Sequence, residues 1–176
     1  MKSLTRTALP SIFALVAGAA LLMAGSVPAA AAPRPQAAAQ KLTASAIQIE
    51  RTNPPEGLVI PEDFRVATYE NVIVQVEKTK KFQHVYRSGD RTAAEAPDLV
   101  ILHLVPQAFK EGSQKKREVT TVAGATSIKV KVTFTDKDGK VLMEKDIEGK
   151  VRFFGENLRA TYDLAKKVAQ VVNESF

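Results

Sequence analysis

The chain contains no cysteine. That absence removes disulfides, thiolate nucleophiles, zinc–thiolate sites and a lipidated N-terminal cysteine together. Tryptophan is also missing and aromatics make up 6% of residues, so stacking platforms for sugars or bases are sparse. His84 and His103 are the two histidines, which leaves few designs for imidazole chemistry. No G-x-S-x-G, phosphate-binding loop, dinucleotide fingerprint or H-E-x-x-H motif occurs. The expectation is a protein without catalytic residues, cofactor or metal, and without a nucleic-acid partner.

One long apolar run is present, and it lies at the N-terminus. Lys2 and Arg6 precede the apolar core SIFALVAGAALLMA at residues 11–24, and Ala29 and Ala31 occupy the small-residue positions of an A-x-A site. This is the pattern of a secretory signal cut after Ala31, because a cut after Ala32 would leave Pro33 at the new terminus. An uncleaved anchor is the weaker reading, since the core is shorter than the ~20 residues a membrane span needs. The expected product is exported, periplasmic or secreted. Removing Lys2 and Arg6 lowers the formal +6 charge to a mild surplus spread along the chain. Residues 32–45 are rich in Pro, Ala and Gln and read as a flexible linker. Residues 46–176 then form a single α+β domain.

That domain is organised around residues 126–154. Ile128, Val130, Val132 and Phe134 alternate with Lys129, Lys131, Thr133 and Thr135, a period of two that marks a strand with one buried face. A second run carries Val141, Met143, Ile147 and Val151, and Asp138-Gly139 lies between the two as a hairpin turn. A two-residue loop sets Lys137 opposite Lys140, Phe134 opposite Met143, Val130 opposite Ile147, Lys131 opposite Asp146 and Lys129 opposite Glu148. A slip of one would put Val130 against Asp146, so the pattern selects the register. Lys145 falls on the apolar side and should lie near a sheet end.

The remaining elements follow in order. AIQIER at residues 46–51 alternates as a first strand. Residues 61–80 read as a helix. Glu62 and Asp63 open it, lysines close it, and Phe64, Ala67, Val72, Ile73 and Val76 form its apolar stripe. FQHVYR at 82–87 is a short strand, and residues 92–96 form one helical turn. LVILHLV at 99–105 is a central strand covered on both faces, limited by Pro106. Residues 107–118 are expected to be an exposed connection, with Gly124 a bulge before the hairpin. Residues 156–175 close the chain as a helix with Leu158, Tyr162, Ala165, Val168, Ala169 and Val172 inward. The order predicts an α+β two-layer sandwich. Its mostly antiparallel sheet of about four to five strands has two main helices on one face.

The runs APDLVILHLVPQAFKEG and AGATSIKVKVTFTDKDGKVL, followed by the closing helix, carry a resemblance. Across residues 47–175 the chain resembles a family of small exported bacterial envelope proteins catalogued as a domain of unknown function, the DUF4410-like proteins. The resemblance implies an envelope location and a fold similar to the N-terminal part of the Tol translocation protein or the curli secretion lipoprotein. The chain departs from relatives in lacking a lipobox cysteine and in having one glycine, Gly124, where they are glycine-rich. The family offers no catalytic residues to transfer.

The candidate sites are surfaces. Lys110, Lys115, Lys116 and Arg117 form the densest basic cluster, and Lys129 and Lys131 stand on the polar sheet face. Together they are the expected interaction surface, facing another envelope protein or, in a further reading, an anionic polymer or lipid headgroups. Glu111 and Glu118 interrupt the cluster, which favours a solvated loop. His103 offers the alternative of a small-ligand or hydrolytic cleft between helices and sheet. A core or sheet-edge histidine is the better reading, because no partner stands near it by spacing. Asp136-Lys137-Asp138-Gly139 lacks the downstream ligands of a calcium loop and reads as a turn.

Overall fold

A computed structural model describes residues 41–120, 124–152 and 155–176. The signal segment and most of the 32–45 stretch lie outside the described residues. Lys41 to Ser45 are described and lie against the domain. The Leu42 amide donates to the Ser175 carbonyl at 2.7 Å, and Ala44 packs on the core. No helix among the described residues is long and apolar enough to cross a membrane.

The elements run β1 (Ala46–Ile49), α1 (Glu62–Thr79), β2 (His84–Arg87), a 3-10 turn (Arg91–Glu95), β3 (Leu99–Lys110), α2 (Gln114–Val119), β4 (Thr126–Asp136), β5 (Val141–Val151) and α3 (Arg159–Ser175). The strands form one open sheet in the order β2-β1-β3-β4-β5. The fold is α+β, as expected. The two antiparallel ladders, β3 with β4 and β4 with β5, dominate the sheet. The short β1 pairs parallel with β2 on one side and β3 on the other. Helix α1 makes the first parallel pair necessary, because it returns the chain to the starting end of the sheet.

The hairpin register agrees with the sequence pattern: Phe134 faces Met143, Val130 faces Ile147, Lys131 faces Asp146 and Lys129 faces Glu148. The turn differs. Lys137 does not face Lys140. Instead the Asp136 amide donates to the Lys140 carbonyl at 3.0 Å, and Thr135 faces Val141. The Asp136 carboxylate accepts from the Asp138 and Lys140 amides, which widens the loop by one residue. Leu142 takes up the extra residue as a bulge in β5, so the body of the hairpin keeps its register.

Ile128, Val130, Val132 and Phe134 are fully buried under the helices with Ile47, Ile49, Leu102 and Leu104. Fully burying such side chains stabilises by roughly 1.5–3 kcal/mol each. Phe64 of α1 meets Phe109 of β3 edge-to-face at 4.8 Å. Phe176 closes the other end against Phe82 and Phe134. Asn71 of α1 donates to Thr161 of α3 at 2.9 Å, joining the two helices.

Several expectations are corrected here. β3 does not stop at Pro106 but continues to Lys110, with a bulge between Pro106 and Ala108 that absorbs the missing N–H. The 107–118 stretch is therefore strand, then loop, then α2. Gly124 is not a strand bulge. It packs under α2, where a Cβ would lie 2.6 Å from the Ser113 carbonyl oxygen. In α3 Ala165, Val168, Ala169 and Val172 are buried as expected, joined by Ala160, Thr161, Leu164 and Val171, while Tyr162 is 45% exposed. Lys145 lies in the middle of the edge strand rather than at a sheet end. Its ammonium reaches Glu174 of α3 at 3.4 Å.

Candidate functional site

The six predicted surface residues do not stay together. Lys110, Lys129 and Lys131 share the outer face of the sheet, the side away from the helices, because β3 and β4 set Lys110 opposite Ser127 and Val105 opposite Lys131. Lys129 pairs with Asp146 at 3.4 Å and Lys131 with Glu144 at 3.7 Å. The ammoniums thus reach acids one step along β5 from their expected neighbours. Lys115 and Lys116 stand exposed on α2.

Arg117 is a correction: it is buried, 3% exposed, and belongs to no surface. Its Nη1 donates to the Gly124 carbonyl at 2.6 Å, and its Nη2 donates to the Gly155 carbonyl at 2.7 Å and to Asn157 Oδ1 at 2.9 Å. The Thr126 hydroxyl also donates to Asn157 Oδ1, and the Asn157 amide reaches Glu111 and the Gly112 carbonyl. One guanidinium therefore ties α2, the start of β4 and the approach to α3. Among the described residues no carboxylate pairs with it, so backbone and amide dipoles hold the charge.

His103 also differs from its expected place. It faces the outer side of the sheet, since Leu102 and Leu104 point to the helices, and its Nε2 lies 3.1 Å from Thr135 Oγ1. It borders a shallow depression of about 230 Å³ shared with Glu50, Arg51, Asn53 and Val105. The Glu50 carboxylate there accepts from the Ser88 hydroxyl. The depression is not a cleft between helices and sheet. On the same face of β3, Leu99 is buried with Ala46, Ala93 and Ala96, half-buried Ile101 packs against them, and Val105 is 42% exposed.

A larger crevice, about 440 Å³, opens where β1 and β2 end beside the first turns of α1. Arg51, Thr52 and Asn53 follow β1; Arg87 and Ser88 end β2; Arg65, Tyr69 and Glu70 come from α1. Arg87 grips Glu70 with two bonds of 2.6 and 2.8 Å and lies 5.9 Å from the Tyr69 ring centroid. The Tyr69 hydroxyl accepts from the Ser88 amide, and Arg65 pairs with Glu62. Sequence reading misses this crevice because three arginines on three separate elements make no local cluster. The strand–helix–strand order was the available signal, since it places the carboxyl ends of β1 and β2 together.

The hydrogen bonds from Arg87 hold the Glu70 carboxyl below the usual carboxylate range, with burial opposing them and Coulomb attraction adding to them. The Arg87 guanidinium is raised in turn, first by that same bond. A depressed acid stabilises the fold above its unfolded pKa, and that contribution is lost as pH falls through the folded value. Both side chains are about half exposed, so solvent screening keeps the pair small. Glu70→Gln is expected to lower urea-unfolding stability by about 0.2–1 kcal/mol near neutral pH. The deficit should shrink in acid, where the wild-type carboxyl is protonated.

No family model matches the chain, and no curated protein matches it. The DUF4410-like likeness thus stays a resemblance. Solved structures do match. A PelC dodecamer from Paraburkholderia phytofirmans gives a TM-score of 0.54 at 11% identity, covering 76% of this chain and 91% of that one. A variant of that dodecamer gives 0.56 at 10% identity, with 76% and 93% covered. A hypothetical protein from Chlamydia trachomatis gives 0.50 at 8% identity, with 74% and 94% covered. At these identities the likeness shows a shared α+β fold, and the fold alone.

Proposed function

We propose that this chain is an exported bacterial envelope protein whose domain is a non-enzymatic interaction or assembly module. The observation that carries the reading is the part of the outer sheet face, over β3 and β4, that lies beyond the 3-10 turn packed on Ala46 and Leu99. Both main helices pack on the other side. Val105, 42% exposed, and half-buried His103 stand at the centre of the open part beside Ile101, which packs against the cluster under the 3-10 turn, and Lys110, Lys129 and Lys131 stand along one flank. Lys129 and Lys131 are held in place by Asp146 and Glu144. A patch of this kind, rimmed by charge, has the layout of a protein contact, apolar at its centre and polar at its border.

Envelope location is supported by the N-terminal pattern of charged start, apolar core and A-x-A site, and by the family resemblance. The same fold serves a dodecamer in PelC, which makes a second copy of this chain a partner to test beside other envelope proteins. The anionic-polymer reading loses support, because Arg117 is turned inward.

The test is crosslinking in the cell, with the full chain carrying a photoreactive residue at position 105 and, separately, at exposed position 166 on α3. Recovery of one defined envelope protein, or of a second copy, from position 105 and not from 166 is the expected result. Equal background from both, with a monodisperse monomer on light scattering, would end the reading.

A further inference from the structure

His103 is the group at the centre of the outer sheet face whose charge can change under mild conditions. Histidine is the side chain that titrates between about pH 5 and 8. The other histidine, His84, lies on β2 at the far border of the sheet, stacked on Tyr86 at 5.9 Å. The His103 ring is half-buried, and its Nε2 lies 3.1 Å from the hydroxyl oxygen of Thr135, which is 6% exposed. Ile101 and Val105 flank it along β3, and Thr133 stands opposite it on β4. The charged groups around it come in opposite signs. Glu50 and Arg51, which follow β1, line the same depression, and Glu50 already accepts from Ser88. Lys131, opposite Val105 on β4, is paired with Glu144. The 3-10 turn over the start of β3 carries exposed Arg91 and Glu95. No single sign prevails, so access to water decides how well an imidazolium is tolerated there.

We infer that His103 makes the outer-face contact sensitive to pH: the face holds its protein partner with the imidazole neutral and releases it when the ring is protonated. The inference rests on the outer-face reading above. Uncovered, the half-buried ring can take up a proton and keep its N–H groups in water. Beneath a contact centred on Val105 it loses that water, and an uncompensated buried charge is costly. The complex therefore binds fewer protons than the free face. By linkage, association weakens as pH falls through the range in which the free ring titrates. Carboxylates titrate lower, near 4 as model groups, and contribute little in that window.

The test is photo-crosslinking of the full chain from position 105 in permeabilised cells, buffered at about pH 7.5 or about pH 5.5, across a dilution series. In the wild type, half of the maximal adduct should require about tenfold more material at the lower pH. His84→Gln should show the same shift. His103→Gln should show none, and His103→Lys, charged at both values, should bind weakly at both. Circular dichroism of each variant checks the fold. Adduct from the wild type with no shift, or with tighter binding in acid, overturns the inference and leaves the interaction reading standing. A shift that persists in His103→Gln, or wild-type affinity of His103→Lys at the higher pH, does the same. Loss of adduct in folded His103→Gln at the higher pH would mean that the contact needs the shape of the ring and not its charge, and overturns the inference too. No adduct from the wild type at either pH would end both readings.

Discussion

Arg117→Ala should destabilise the fold by about 1–3 kcal/mol, the cost of leaving one buried acceptor without a donor. The Gly155 carbonyl loses its side-chain donor, while the Gly124 carbonyl keeps the Ser113 amide and Asn157 Oδ1 keeps the Thr126 hydroxyl. With Arg117 itself on α2, its bonds join three chain segments: α2, the approach to β4 and the approach to α3. Arg117→Lys should recover little of the loss. A lysine ammonium is one point at the end of a flexible stem and cannot place donors on opposite sides as the planar fork does. Urea unfolding of the wild type, Arg117→Ala, Arg117→Lys and Asn157→Ala, with the Arg117/Asn157 double variant, measures this. The two single effects should fail to add, since the residues share one network. A loss below about 0.5 kcal/mol for Arg117→Ala, the size expected of a plain surface change, would show that the guanidinium is dispensable.

Gly149→Ala should be as damaging or more so, at about 3 kcal/mol or above, the upper end for overpacking. Gly149 lies on β5 opposite Ile128, under the first turns of α3. A Cβ there would lie 2.2 Å from the Ala160 carbonyl oxygen, 2.6 Å from the Leu164 Cβ and 2.7 Å from the Leu164 amide nitrogen. These are backbone and near-backbone atoms, so relief requires the helix to move off the sheet. Gly139→Ala is the informative control. No atom lies within 4 Å of its would-be Cβ, but its φ is +81°, so its cost is backbone strain alone, on the order of 1 kcal/mol. Thermal unfolding of both variants should rank Gly149→Ala well below Gly139→Ala. The reverse order would mean that α3 is not seated on Gly149.

These two residues mark where the sequence was readable and where it was not. The hairpin could be read because alternation is local: each of Ile128, Val130, Val132 and Phe134 names its own face, and pairing follows from a short loop. The turn was misjudged by one residue, yet Leu142 compensates, so the register survived. The phase of α3 was harder. Tyr162 and Leu164 are both apolar enough to face inward, and only the docking of α3 over Gly149 decides for Leu164. Arg117 was hidden by its neighbours Lys115 and Lys116, which are exposed as expected. Its partners are backbone carbonyls, which leave no trace in residue identity. Pro106 read as a strand end because a strand interior rarely tolerates it, and a bulge removed the conflict. The arginine crevice was out of reach for a different reason: its parts meet only through the parallel pairing of β1 and β2.

The free border of the sheet at β5 is guarded against further strands toward its C-terminal end. Lys167 of α3 donates to the Glu148 carbonyl at 2.8 Å, and the Lys150 amide donates to Asp163 of α3 at 2.9 Å. Two outward-pointing backbone groups that would recruit a foreign strand, toward the C-terminal end of β5, are thus already occupied. Lys145, held by Glu174 on the apolar side of the same strand, adds a charge that an incoming chain would have to strip of water. A strand pairing along the full length of β5 would therefore have to displace these contacts with α3. Growth into fibrils from that border is suppressed by the same helix that completes the core.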